Sequence, residues 1–282
     1  MNIRQVRKKT KYVKNVKKIT RSMQLVSAIK MKKAQTTAIE ARAYQNALSF
    51  IIRRSIGRVD INVYSLLRCK DEKSPELVIF MTANKGLCGS FNFDLFRFLV
   101  KNVSVESARF ILIGKKGGPF MTKLGGRVLA DFSSAQPQNN VSAVFTMAVE
   151  GFLAGTFRKV SIVYNRYIST LHTEPTQEVL LPVRLPVEDP MEEKFTQEYL
   201  IEPSVEKIID QVLRSYVEER IRDALIQMEA GEHSARMIAM KNATDNANDV
   251  IYNLTLLGNK LRKEKITNEL LDMITAKESV EL

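Results

Sequence analysis

Near both ends of the chain, apolar residues recur at alternating steps of three and four. Tyr12, Val16, Ile19, Met23 and Val26 do so near the start, and Met240, Ala243, Ala247, Val250, Leu254, Leu257 and Leu261 near the end. Such spacing makes a narrow seam of the coiled-coil kind, not the wider stripe of a helix lying on a sheet. The first glycine is Gly57 and the first proline Pro75, which predicts one unbroken helix over residues 1–57. No proline follows Pro203, and only Gly231 and Gly258 interrupt, which predicts a second helix over 204–276. A helix of roughly 70 residues is about 105 Å long at 1.5 Å per residue, more than a globular core can enclose. Long single helices are unstable in water without a covered apolar face. The simplest arrangement pairs the two terminal helices antiparallel as one coiled-coil unit. Ala243 and Ala247 then face Ser27, Ala28 or Ala34 in a register that the sequence leaves open.

Over residues 75–190 the pattern changes. The runs "ELVIFMT" at Glu76–Thr82, "RFILIG" at Arg109–Gly114 and "KVSIVY" at Lys159–Tyr164 read as buried strands. Phe91–Asn102 and Val141–Thr156 read as helices between them. Alternation of this sort predicts an inserted α/β domain with a mostly parallel, Rossmann-like sheet. A nucleotide site is the first question for that architecture. Neither "GKKGGPF" at Gly114–Phe120 nor "NKGLCGS" at Asn84–Ser90 matches a dinucleotide or phosphate-loop motif.

Other chemistry is sparse. His172 and His233 are the only histidines and fall on different predicted elements, without metal-ligand spacing. Cys69 and Cys88 are too few for a disulfide framework and read as reduced thiols. No catalytic, cofactor or metal site is expected. The 282 residues, 45% hydrophobic and 26% charged, suffice for one or two globular domains. No apolar run is long enough to span a membrane, and "MNIRQVRKKT" lacks the apolar core of a secretory signal.

Charge adds asymmetry. Residues 1–58 hold 16 Lys and Arg against one acidic residue, Glu40, and the rest of the chain holds 27 basic and 30 acidic residues. The net +12 therefore comes entirely from the first fifth. Such a field favours an acidic protein surface, a phosphate backbone or an anionic membrane. A second oddity lies in the C-terminal helix. Six of the eight residues Asn242–Asp249 are Asn, Thr or Asp. They disfavour that helix by about 4 kcal/mol relative to alanine, which points to a use outside it.

The stretches "KKITRSMQLVSAIKMKKAQ", "NKGLCGSFN", "VYNRYIS", "ARMIAMKNATDNANDVI" and "LGNKLRKEKITNEL" occur in order along nearly the whole chain. Together they resemble the gamma subunit of F-type ATP synthase. The resemblance implies a non-catalytic central-stalk rotor. Its coiled coil would stand inside a ring of alpha and beta subunits and its foot would rest on the c-ring. The epsilon subunit would bind beside the α/β domain. Proton-driven rotation would then present different faces of the shaft to the beta subunits. The resemblance further implies coupling contacts at Met23, Lys30, Lys85, Arg236, Asn242, Thr244, Asp245, Asn246, Arg262 and Lys263.

Three positions depart from the family pattern. Lys263 stands where glutamine is usual, which exchanges a hydrogen-bonded catch for an ion pair. Lys85 stands where arginine is usual and lacks the planar fork. The tail Thr275–Ser279 replaces small residues at the tip. The resemblance also implies a peripheral position on the cytoplasmic face of a bacterial plasma membrane, without thiol regulation. Two other classes stay open on the residues alone. One is a nucleic-acid-binding coiled coil, which the basic start allows but which lacks interleaved aromatics. The other is a nucleotide-dependent α/β enzyme with helical arms, which the missing phosphate loop opposes.

Overall fold

The computed structural model describes residues 2–56, 64–68, 74–133, 137–184, 202 and 204–280. Cys69, Pro203 and the side chains of Lys277, Glu278 and Ser279 lie outside the described residues, as do the expected boundaries at 57 and 190. Two helices dominate the chain, α1 (Ile3–Ile56) and α5 (Val205–Val280). Between them come β1 (Glu76–Met81), α2 (Phe91–Asn102), β2 (Arg109–Ile113), α3 (Gly117–Leu124) and β3 (Arg127–Asp131). Then follow α4 (Val141–Leu153), β4 (Lys159–Ser169) and β5 (His172–Leu181). The residues form two compact units, Ile29–Ala235 and Met1–Ala28 with Arg236–Leu282, and the division passes through both long helices.

In the Ile29–Ala235 unit the strands are ordered β3-β2-β1-β4-β5. The first four are parallel and β5 is antiparallel to β4. The three expected strands and two expected helices are all present. The strands β3 and β5 and the helix α3 are additional, and their sequences explain why they escaped the pattern. The edge strand β3 is exposed at four of five positions, so no apolar run marks it. On the other edge, β5 is largely polar and carries Pro175, which a strand tolerates only where a ladder hydrogen bond is dispensable.

Both faces of the sheet are covered, as a parallel sheet requires. One face buries Val78, Phe80, Phe110 and Leu112 beneath Leu95 and Leu99 of α2 and Met121 of α3. The other buries Leu77, Ile79, Ile111 and Ile162 with Val144 and Phe152 of α4 and Ile209, Leu213, Val217 and Ile221 of α5. Ile52 of α1 joins this second core. Alongside it Gln45 donates from Nε2 to Glu219 at 3.4 Å, fixing α1 antiparallel to α5 within this unit.

Open α/β sheets bind nucleotides beyond the strand ends where the strand order reverses, here between β1 and β4. In this chain, backbone and side chains occupy that region. Gly231 of α5 lies so close that an added Cβ would come within 3.1 Å of Phe91 and of Thr173. A glycine in a helix interior costs about 1 kcal/mol relative to alanine, and the close approach accounts for it. Buried Asn165 donates from Nδ2 to the Phe91 carbonyl at 2.8 Å, and the Asn84 amide donates to Glu232 Oε2 at 3.2 Å. The loop that would receive a phosphate is thus pinned to α2 and α5.

Candidate coupling surface

The second unit consists of the start of α1 and the last part of α5. An added Cβ at Gly258 would sit 3.5 Å from Val6. Fourteen residues further along α1, and fourteen back along α5, the hydroxyls of Thr20 and Thr244 hydrogen-bond each other at 2.8 Å. The pairing is therefore antiparallel, and its register sets Ala243 and Ala247 at the level of Arg21 and Lys17, not against Ser27, Ala28 or Ala34 as expected. In this unit the α1 side of the seam runs Val6, Val13, Thr20 and Ser27, one residue per heptad. The facing α5 residues are Met240, Thr244, Ala247, Ile251, Leu254, Gly258 and Leu261, again alternating threes and fours.

This seam corrects the expected one. Tyr12, Ile19 and Val26 are 68%, 59% and 53% exposed, and Val250 and Leu257 also face outward. In α1 the more apolar stripe lies one position away from the buried stripe, whereas in α5 Met240, Ala247, Leu254 and Leu261 lie in the seam as expected and Thr244, Ile251 and Gly258 take the places of Ala243, Val250 and Leu257. Short side chains, with hydroxyls that hydrogen-bond across the seam or back to the helix, let the two backbones approach. Thr244 also donates to the Met240 carbonyl, and Thr20 to that of Lys17, options that satisfy the buried hydroxyls. Thr244, expected as an outward contact, is instead part of this internal pair and only 6% exposed.

The other expected coupling residues are spread along the chain. Asn242, Asp245 and Asn246 are exposed on α5, together with Asn248 and Asp249, so the polar patch does face outward apart from Thr244. Arg262 and Lys263 are exposed, and Arg262 lies beside Ile3 and Arg7 at the start of α1. Met23 is half-buried beside the seam. Arg236 is 6% exposed, so its charge is largely withdrawn from the surface. Lys30 and Lys85 belong to the other unit and are both exposed.

The two helices offer their surroundings different chemistry. Over residues 2–28, exposed α1 carries Arg4, Arg7, Lys8, Lys9, Lys11, Lys14, Lys18 and Arg21 without one carboxylate, and Tyr12, Ile19 and Val26 lie among them. Exposed α5 offers carboxamides and carboxylates over 242–249. From Arg262 to Ala276 every residue is exposed, and Ile266, Leu270, Leu271, Met273 and Ile274 are each at least half exposed. Apolar area of that extent on an unpaired helix marks a surface that other chains cover.

In the Ile29–Ala235 unit the polar groups serve to fix elements. Glu178 of β5 binds both Arg166 of β4, at 2.6 Å, and Arg220 of α5, and accepts from the Tyr164 hydroxyl at 2.7 Å. Burial alone would raise the Glu178 pKa, but Arg220, the Tyr164 hydroxyl and Arg166 outweigh it and hold the carboxyl below its ordinary value. Burial, reinforced by the Glu178 charge, pushes the Tyr164 phenol up. Glu229 differs. Burial pushes its pKa up and the neighbouring Glu232 adds to that, against the Gln138 hydrogen bond and Lys30. Neither carboxylate is marked by a sequence motif, because Arg220 reaches Glu178, and Gln138 and Lys30 reach Glu229, from elements distant in the chain.

Among the described residues no group of three or more His, Cys, Asp and Glu is placed to hold a metal. Cys88 is buried, and no helix among the described residues is long and apolar enough to cross a membrane.

The ATP synthase family model matches residues 2–280. The ATP synthase gamma chain of Akkermansia muciniphila is 32% identical over 291 residues, covering 99% of both chains. That of Roseiflexus sp. is 34% identical over 283 residues, covering 94% of both. In a solved structure of the Euglena gracilis mitochondrial ATP synthase, containing OSCP, F1 and the c-ring, one chain shares the fold at TM-score 0.67 and 20% identity. The match covers 99% of this chain and 94% of that one. A chain in the rotor of the same enzyme matches at TM-score 0.63 and 19% identity, covering 94% and 98%. On a match of this extent, the chain belongs to the ATP synthase gamma family.

Proposed function

We propose that this chain turns as the central shaft of an ATP synthase, coupling proton-driven rotation of a c-ring to the catalytic sites of a surrounding ring of alpha and beta subunits. It performs no chemistry itself. The observation that carries the mechanism is the difference between the outer faces of α1 and α5. A shaft biases three sites only if its contact free energy differs among them, since a uniform face would shift none. A basic and apolar face on α1 beside a carboxamide and carboxylate face on α5 supplies that difference.

The outward residues Asn242, Asp245 and Asn246 make short, exchangeable hydrogen bonds to the sleeve. Arg262 and Lys263 engage acidic loops of the beta subunits. Lys30 and Lys85 face acidic loops of the beta subunits as well, and Met23 packs at the coupling face. Arg236, being buried, and Thr244, being paired with Thr20, hold the helices in position. The epsilon subunit binds beside the α/β domain. The complex places the chain peripherally at the cytoplasmic face of a bacterial plasma membrane.

The test is co-expression with the remaining ATP synthase subunits of the same organism, c-ring included, using the double variant Arg262→Glu/Lys263→Glu. Both residues are exposed, so assembly should persist while ATP synthesis in energised vesicles falls several-fold and more than ATP hydrolysis. A chain that does not co-purify with alpha and beta overturns the assignment. Equal synthesis and hydrolysis in variant and wild type removes these two residues from the coupling surface.

A further inference from the structure

The outer side of α2 and α3 carries a feature that the shaft role does not use. Between the two helices lies a cleft of about 690 Å³. Its floor is aromatic: Phe96 and Phe120 stack at 4.0 Å with an interplanar angle of 9°, and both rest on buried Phe80 at 6.0 and 6.4 Å. Phe93 meets Phe96 edge-on at 6.5 Å yet is 70% exposed, a large apolar side chain held by one neighbour and otherwise facing water. The rim is entirely basic, with Arg97 and Lys101 from α2 and Lys116 and Lys123 beside and on α3. Among the described residues no carboxylate forms an ion pair with any of the four.

The spacing within the cleft defines its occupant. Phe93, Phe96, Arg97 and Lys101 lie on one face of α2, and Lys116, Phe120 and Lys123 on one face of α3. The cleft therefore lies between one face of α2 and one face of α3, and its α2 wall is about 12 Å long by the rise of the eight residues from Phe93 to Lys101. That length takes roughly two helical turns. A concave aromatic floor receives apolar side chains at i, i+3 or i+4 and i+7, the helix-in-groove mode. An unneutralised basic rim selects carboxylates beside those anchors.

We infer that the α2–α3 cleft is a docking site for a short acidic amphipathic helix of a partner protein, anchored by apolar side chains on Phe93, Phe96 and Phe120 and flanked by Asp or Glu against Arg97, Lys101, Lys116 and Lys123. The site is distinct from the shaft and does not depend on the rotor assignment.

The probe is a fluorescein-labelled, helix-stapled twelve-residue peptide with Leu or Phe at the anchor positions and Glu elsewhere, titrated into the full-length chain by fluorescence polarisation. Because the basic start of α1 also attracts anions, the deciding variant is Phe93→Ala, which changes no charge and removes an exposed side chain. Affinity should fall about tenfold in Phe93→Ala, as for an interface anchor. It should also fall at least tenfold in Lys101→Glu/Lys123→Glu, with circular dichroism unchanged in both. Carbodiimide treatment of the wild-type complex should link a peptide glutamate to Lys101 or Lys123. Unchanged affinity in Phe93→Ala, with crosslinks mapping to α1, overturns the proposal. So does absence of peptide binding with Phe93-dependent binding to phosphatidylglycerol vesicles, which assigns the cleft to lipid.

Discussion

The same two helices meet in both units, with opposite economies of contact. Around Ile52, Ile209, Leu213, Val217 and Ile221 they enter a core shared with the sheet and α4, where each of these side chains is at most 1% exposed. Around Thr20 and Thr244 they have only each other, through short side chains and a hydroxyl pair. Burying Thr, Ser, Ala and Gly removes little apolar area from water. The second unit meanwhile leaves Tyr12, Ile19, Leu270, Leu271 and Met273 more than half exposed. One part of each helix is thus held by its own chain, and the other is finished for contacts that another chain must supply.

Paired substitutions break the comparison most strongly. Leu213→Ala, at 0% exposure inside the sheet core, should cost about 2 to 5 kcal/mol in urea unfolding of the full chain. Leu254→Ala, at 8% exposure in a seam bordered by solvent, should cost about half as much or less. Equal losses would mean that the seam is as tightly enclosed as the core.

A smaller effect sharpens the seam itself. Ala247 is 6% exposed where the helices lie close, so Ala247→Leu should overpack the contact by about 1 to 3 kcal/mol. An unchanged melting temperature would show room that the close approach denies.

The smallest effect concerns the Ile29–Ala235 unit and pH. The Glu229 pKa is raised in the folded chain, chiefly by burial. The folded state therefore binds this proton more tightly than the unfolded state, whose glutamate titrates near 4.3. The associated stability is fully present below about pH 4.3 and is lost as pH rises through the folded-state value. Glu229→Gln keeps an acceptor for Gln138 and removes the charge. Its stability relative to wild type should increase from pH 4 to pH 8, read by urea unfolding at each pH. A difference that is flat or falls with pH would place the Glu229 carboxylate in a favourable charged setting.

Architecture was legible in the sequence wherever a pattern was strong and local. The absence of Gly and Pro before Gly57 marks α1, and the runs at Glu76, Arg109 and Lys159 mark three central strands. The edges were not legible, because β3 is exposed and β5 carries Pro175. The α1 side of the seam departs from the expected one by one position for a related reason, while in α5 Met240, Ala247, Leu254 and Leu261 lie where they were expected. An apolar stripe is the usual sign of a covered face, and here the covered stripe of α1 is Val6, Val13, Thr20 and Ser27, half of it hydroxyl-bearing. The outward stripe at Tyr12, Ile19 and Val26 belongs to a contact that one chain cannot reveal. In the polar patch at 242–249, Asn242, Asp245, Asn246, Asn248 and Asp249 are exposed but Thr244 turns inward, since helical periodicity places one residue in four of such a run on the seam.

The register at Thr20 and Thr244 is the most direct test of the account. In full-length chain with Cys69 and Cys88 replaced by serine and alanine, Thr20→Cys/Thr244→Cys should form an intramolecular disulfide under mild oxidation. The native hydroxyl oxygens lie 2.8 Å apart, within reach of the geometry a disulfide needs. The one-heptad mismatch Thr20→Cys/Met237→Cys should stay reduced. A disulfide in the mismatched pair, or in neither pair, would contradict the antiparallel register on which the two outer faces of the shaft depend.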